Sequence, residues 1–158
     1  MDDKPYSLDA LDIRIIKELQ ENGRESFTNI AKRLGVSDGT VRYRTERMMR
    51  SGYLQVTASV DPLYHEDTLT ALVGLSLDHP ANRQLMERIA EIPGVQSVIN
   101  VTGRYDLVVE VYTTSRKALR RFLVDELSEI GGVTSTESFV VMEAVGKRVI
   151  LKEDIPVH

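Results

Sequence analysis

Four arginines, Arg42, Arg44, Arg47 and Arg50, stand close together in a chain of 158 residues whose net charge is −4. Guanidinium groups at that density can pair with phosphates, and one arginine can donate two hydrogen bonds to a guanine edge. Just before them stand Ser37, Asp38, Gly39 and Thr40, and among them Tyr43. A serine can cap a helix, the free amides of a first helical turn suit a phosphate, and a glycine there permits close approach. The chemistry on offer is contact with double-stranded DNA. Thr40, Arg42 and Tyr43 are assigned to bases; Arg47, Arg50 and Ser37 to phosphates. Asp38 and Gly39 sit in the turn that points at base edges when such a helix enters the major groove. The competing reading is an ordinary solvated face, with Arg44 near its buried edge and paired to a carboxylate such as Asp12. Asp38 and Glu46 oppose phosphate binding, so a dimer holding two half-sites is expected to bind better than a monomer.

Three helices must position this set. Ser7 is read as the cap of a first helix from Leu8, with Leu11, Ile15, Ile16 and Leu19 at helical spacing and Asn22-Gly23 as the stop. Ser26 caps a short second helix with Phe27, Ile30, Ala31 and Leu34 inward, ended by Gly35. Ser37 caps a third, running to about Ser51, with Val41, Thr45 and Met48 inward. Steps of about 100° then turn Gly39, Tyr43, Glu46 and Arg50 outward, flanked by Arg42 and Arg47. A short helix, a glycine-containing turn and a capped second helix form a helix-turn-helix.

Tyr53 to Val60 alternates Leu54, Val56, Ala58 and Val60 with other residues and predicts a strand. Asp61-Pro62 ends it. Beyond, the pattern predicts strands over 68–77, 95–102, 105–113 and 133–145. Helices are predicted from Pro80 to Ile92 and from Ser115 to Ile130. The expected fold is therefore α+β: an N-terminal three-helix (winged) helix-turn-helix, then a C-terminal βαββαβ ferredoxin-like domain. The boundaries read as 1–52 for the DNA-binding domain, 53–67 for strand and linker, 68–146 for the second domain and 147–158 for a tail. In that tail Val149, Ile150 and Leu151 either add an edge strand or pack on a neighbour. Strands of the second domain are apolar on both faces: Leu107, Val109 and Val111 on one, Val108 and Tyr112 on the other. Two helices cover one face, so the other calls for a second copy of the chain.

Bulk properties narrow the function classes. There is no cysteine, which excludes disulfides, thiolate metal sites and a cysteine nucleophile. No apolar run approaches the roughly 18 residues of a membrane helix, and the acidic start does not have the layout of a secretion signal. The cytoplasm is the expected location. Residues 61–158 carry ten Lys and Arg against fifteen Asp and Glu, a balance that repels nucleic acid and suits another task.

Leu8-Asp9 with Asp12, Gly23-Arg24, Ser37 with Thr40-Val41 and Arg44, Gly52, and Val101 to Asp106 together resemble the leucine-responsive and asparagine regulator (Lrp/AsnC) family, over Leu8 to about Val145. Two departures stand out. Asn29 occupies the place where the family often has a capping glutamate, and Tyr64-His65-Glu66-Asp67 replaces a common glycine. The resemblance implies a transcription regulator whose second domain dimerises and assembles further, commonly to octamers. It also implies a small-molecule effector, usually an amino acid, bound between dimers, with no cofactor and no catalytic residue. For such an effector Thr102, Gly103, Arg104, Tyr105 and Asp106 form a polar strand connection. Asp106 would accept from an ammonium; Arg104 and amides near Gly103 would donate to a carboxylate. Thr134, Thr136 and Ser138 would add hydroxyls from a neighbouring subunit. The competing reading is an ordinary hairpin with Asp106 bonded to local backbone. Two other functions are weighed: an architectural DNA-binding protein without effector, and a decarboxylase of the same layout. The decarboxylase is disfavoured because His65, His79 and His158 fall in loops or at the terminus and an enzyme has no use for the arginine-rich helix.

Overall fold

A computed structural model describes residues 7–64 and 67–152. His65 and His158 lie outside the described residues. The chain divides into two compact units, Met1–Ala58 and Ser59–His158.

The first unit holds α1 (Ala10–Glu21), α2 (Phe27–Leu34) and α3 (Asp38–Arg50). Ile15, Leu19, Ile30, Ala31, Val41 and Met48 form its buried core. Ser26 and Ser37 cap α2 and α3 through their side chains, and Gly35 closes α2 in the left-handed conformation (φ 70°) that its missing Cβ makes cheap. The cap of α1 corrects the expectation at Ser7: it is Asp9, which accepts from the Leu11 and Asp12 amides while Asp12 reaches back to the Asp9 amide. That reciprocal box satisfies more orphan donors than a lone serine could. The strand predicted over 53–60 is a second correction. Residues 53–59 form no strand, and Val60 makes one isolated antiparallel bridge with Val149. Alternation was present, but among the described residues no neighbouring strand completes a ladder.

The second unit follows the predicted order: β1 (Leu69–Leu77), α4 (Arg83–Ala90), β2 (Val95–Asn100), β3 (Leu107–Thr113), a helix, and β4 (Val133–Val140). The strands form one antiparallel sheet in the order β2-β3-β1-β4. α4 starts at an Asn82 cap rather than at Pro80. The last helix runs as α5 (Arg116–Arg121), a π turn (Phe122–Glu126) and α6 (Leu127–Ile130). Ala71, Val73 and Leu75 of β1, with Leu107, Val109 and Val111 of β3, face the helices and pack on Leu85, Ile89, Leu119, Phe122 and Leu127. Leu72, Ile99 and Phe139, on the other face, are 41%, 50% and 49% exposed, so this apolar surface is uncovered within the chain. The tail belongs to this unit. Lys147 pairs with Glu110 of β3, Val149 is buried against Val60, and Ile150 donates its amide to Gln96 Oε1 (3.0 Å).

Candidate nucleic-acid interface and ligand-binding hairpin

α3 presents the predicted face. Val41, Thr45 and Met48 are buried, while Gly39, Arg42, Tyr43, Glu46 and Arg50 are exposed. Its first turn is tightly tied. Ser37 Oγ accepts from the Thr40 amide (3.1 Å) and lies 2.8 Å from Thr40 Oγ1. Asp38 accepts from Thr28 Oγ1 of α2 (2.9 Å), which holds the two helices in register at the turn. Arg42 lies 3.8 Å from Asp38 and places its guanidinium 5.2 Å from the centroid of the Phe27 ring. Tyr43, 60% exposed, and Arg50 make no side-chain hydrogen bond or ion pair among the described residues. Their polar groups are available to a duplex.

The two remaining arginines have structural partners. Asp12 is wholly buried, and it accepts from Arg44 Nη1 and from Arg47 Nη2, each at 3.0 Å. Arg44 Nη1 also reaches Asp9 Oδ2 at 2.5 Å. A buried carboxylate is tolerated when its lone pairs are filled in this way. The hydrogen bond from Arg44, then that from the Asp12 amide, holds the Asp9 carboxyl below the usual carboxylate range. Asp9 and Asp12 in turn strengthen the protonated state of Arg44. The Arg44–Asp12 pairing foreseen in the sequence is present. Arg47, assigned to phosphates from the sequence, anchors α3 to the start of α1.

In the second unit the hairpin between β2 and β3 is where the sequence placed polar groups. Gly103 has φ +136°, a conformation an L side chain rarely adopts, and a Cβ there would meet open space. Asp106 is engaged by the neighbouring strand β1: its Oδ2 accepts from the Leu77 amide (2.8 Å) and its own amide donates to Leu75 O (2.9 Å). Tyr105 lies flat on Gly74, where a Cβ would come within 2.6 Å of its ring, and its hydroxyl donates to Glu137 of β4. That bond, and then desolvation, raise the Tyr105 pKa. Arg104 lies 3.3 Å from Glu137 and 5.6 Å from the Tyr105 centroid, with its side chain 77% exposed.

The hairpin thus gathers Arg104, Tyr105 and Glu137 on the uncovered face. Glu137 and Gly74 escaped the sequence reading. They are directly opposite each other on β4 and β1, a pairing set by distant residues. Thr102 and Gly103 are exposed at the tip. Thr136 and Ser138 pair with Leu75 and Val73, so they point to the helix side and not toward Tyr105 of the same chain. Thr134 donates to Ser76 O (3.1 Å).

The comparisons agree with this geometry at the level of domains. Residues 8–49 match the AsnC-type helix-turn-helix domain, and residues 70–151 match the Lrp/AsnC ligand binding domain. An uncharacterized HTH-type transcriptional regulator of Pyrococcus furiosus is 34% identical over 135 residues, covering 85% of this chain and 91% of that one. The structure of E. coli AsnC superposes with a TM-score of 0.71 at 26% identity, covering 92% of this chain and 99% of that one. A transcriptional regulator of Neisseria meningitidis, solved as its L-Met complex, superposes with a TM-score of 0.70 at 26% identity, covering 89% and 94%.

Proposed function

The chain belongs to the Lrp/AsnC family of transcriptional regulators, and we propose that it reads specific DNA sites through α3 under the control of an amino-acid effector. It is a DNA-binding regulator with a ligand-binding domain, and not an enzyme. The observation that carries the finer reading is the solvent-facing row Gly39, Tyr43 and Arg50 beside Arg42, on a helix whose other side is locked into a core. Arg42, Tyr43 and Thr40 read base edges. Arg50, Ser37 and the turn at Asp38 and Gly39 hold phosphates, with Arg47 contributing from its place on Asp12. No helix among the described residues is long and apolar enough to cross a membrane. The regulator acts where the DNA is, the cytoplasm.

The effector is assigned to the β2–β3 hairpin. Arg104, largely exposed, donates to its carboxylate together with amides near Thr102 and Gly103, and Tyr105 lines the site. Asp106 already accepts from Leu77, which favours a supporting role over direct capture of the ammonium. Thr134, Thr136 and Ser138 are assigned to the effector site of a neighbouring subunit. The meningococcal relative crystallised with L-Met supports an amino acid as the ligand class. Homodimers form through the uncovered face around Leu72, Ile99 and Phe139 and assemble further, up to octamers.

The test is to sequence the DNA bound by the protein in cells, then to titrate the purified protein onto the recovered sites with and without each amino acid. A short recurrent motif, with affinity shifted by one or a few amino acids, is the expected result. Binding indifferent to sequence would remove the specific readout. No response to any amino acid would leave the architectural role instead.

A further inference from the structure

A cleft of about 710 Å³ opens between α5, with its π turn, and the edge strand β4, away from the β2–β3 hairpin. Its walls are aliphatic: Leu119, Leu123 and Val124 from the helix, Val140 and Met142 from β4 and the residues after it. Val124, Val140 and Met142 are 49%, 43% and 89% exposed, an unusual grouping of open apolar side chains. The volume falls within the few hundred to about 1,000 Å³ that small-molecule sites occupy.

The helix is locally rewound along this wall. The Leu127 amide donates to Phe122 O, five residues back instead of four, and Leu123 and Val124 sit inside that π turn. Such single-turn insertions recur at functional sites because they re-aim side chains at a helix surface. At the mouth stand Arg116 and Arg120, four residues apart and therefore on one helix face. Neither has an acidic partner among the described residues. Among the described residues no Asp or Glu lines the cleft.

We propose that this cleft binds an aliphatic monocarboxylate, its chain against Leu119, Leu123, Val124, Val140 and Met142 and its carboxylate on Arg116 and Arg120. The charge pattern selects this class. Two unopposed guanidiniums favour an anion, and a wall whose described residues hold no carboxylate gives no counter-charge to the ammonium of an amino acid. The site is therefore chemically distinct from the hairpin, and the inference does not rest on the effector assignment there.

The experiment uses the full chain and sodium octanoate as probe, kept below micelle-forming concentrations, in isothermal titration against octan-1-ol and L-leucine. Octanoate should bind saturably and octan-1-ol at least tenfold more weakly, and L-leucine, whatever it does at the hairpin, should fail to displace octanoate. A double variant, R116Q with R120Q, should bring octanoate down to the octan-1-ol level. V124W should fill the cleft and abolish both, while R104A should leave octanoate unchanged. Equal binding of octanoate and octan-1-ol, no binding, or full octanoate affinity in the double variant would overturn the proposal. Sedimentation of V124E separates the other occupant: a smaller assembly with octanoate affinity intact would make the cleft a seat for a second copy and also overturn it.

Discussion

Arg47 of α3 donates to Asp12 of α1, a carboxylate with no exposure to water, across 3.0 Å. The bond ties α3 to the first turn of the unit, next to the Asp9 cap that Arg44 also grips. The proposed phosphate contact gives Arg47 a second task, and its removal should be felt in both. Arg47→Ala should destabilise the first unit by about 1–2 kcal/mol, since Asp12 keeps Arg44 as a partner. It should also weaken DNA binding across all sequences. Chemical denaturation followed by amide exchange of α1 and α3 reads the first effect, and fluorescence anisotropy on duplex DNA the second. A variant of unchanged stability would mean that the Asp12 bond contributes nothing.

Arg42 and Arg50 should separate cleanly. Arg42 leans over Phe27 and loosely engages Asp38, which aims it from the first two turns of α3, where the proposed base contacts are made. Arg42→Ala should cost about 1–3 kcal/mol at the preferred site and relax discrimination at one base position. Arg50, at the far end of the helix, should behave as a phosphate contact. Arg50→Ala should lower affinity uniformly and reduce the salt slope by about one. A binding-site selection with each variant, repeated at two salt concentrations, distinguishes the roles. Identical profiles would contradict the division of labour.

The helices were legible where a side chain announces them. Ser26 and Ser37 cap α2 and α3 as their positions predict, because capping is a contact over three residues. Even so, Ser7 and Asp9 compete for the same helix start, and the reciprocal bond with Asp12 decides for Asp9. Strand alternation over 53–60 was legible and misleading: a strand needs a partner, and periodicity says nothing about whether one arrives. The hairpin at Gly103 was visible from Gly103-Arg104, yet its counterpart was not. Glu137 acquires its meaning because β4 pairs with β1 and carries it beside Gly74, a contact no local pattern encodes.

Gly74 should prove indispensable to the hairpin for steric reasons. Any Cβ at that position meets the root of the Tyr105 ring, which cannot swing aside as a flexible tip would. Gly74→Ala should cost about 1–3 kcal/mol and release the Tyr105 hydroxyl from Glu137. The phenol's pKa is raised in the folded chain, so its hydrogen bond contributes below the ordinary tyrosine value near ~10 and is lost as pH rises through the folded value. In an ultraviolet titration the wild type should show one tyrosine ionising later than the exposed ones. Gly74→Ala and Glu137→Gln should each bring it forward. If neither moves it, the Tyr105–Glu137 bond is not formed in solution.

Acid should loosen the first unit through two carboxylates. Asp9 is held below the ordinary range by Arg44 and then by the Asp12 amide. Glu25 is lowered by the Asn29 side-chain amide, then by Arg33 and by the Ser26 amide. A carboxyl whose folded pKa lies under its unfolded one stabilises fully above the unfolded value, near ~4, and loses that contribution as pH falls through the folded value. Stability of α1–α3, read by amide exchange in the whole chain, should thus be level near neutrality and fall steeply below about pH 4. Asp9→Asn with Glu25→Gln should lower stability at neutral pH and flatten the acid limb. Both groups lie at the surface, so added salt should shrink the difference between wild type and variant. An acid limb of unchanged steepness in the double variant would place the acid sensitivity elsewhere.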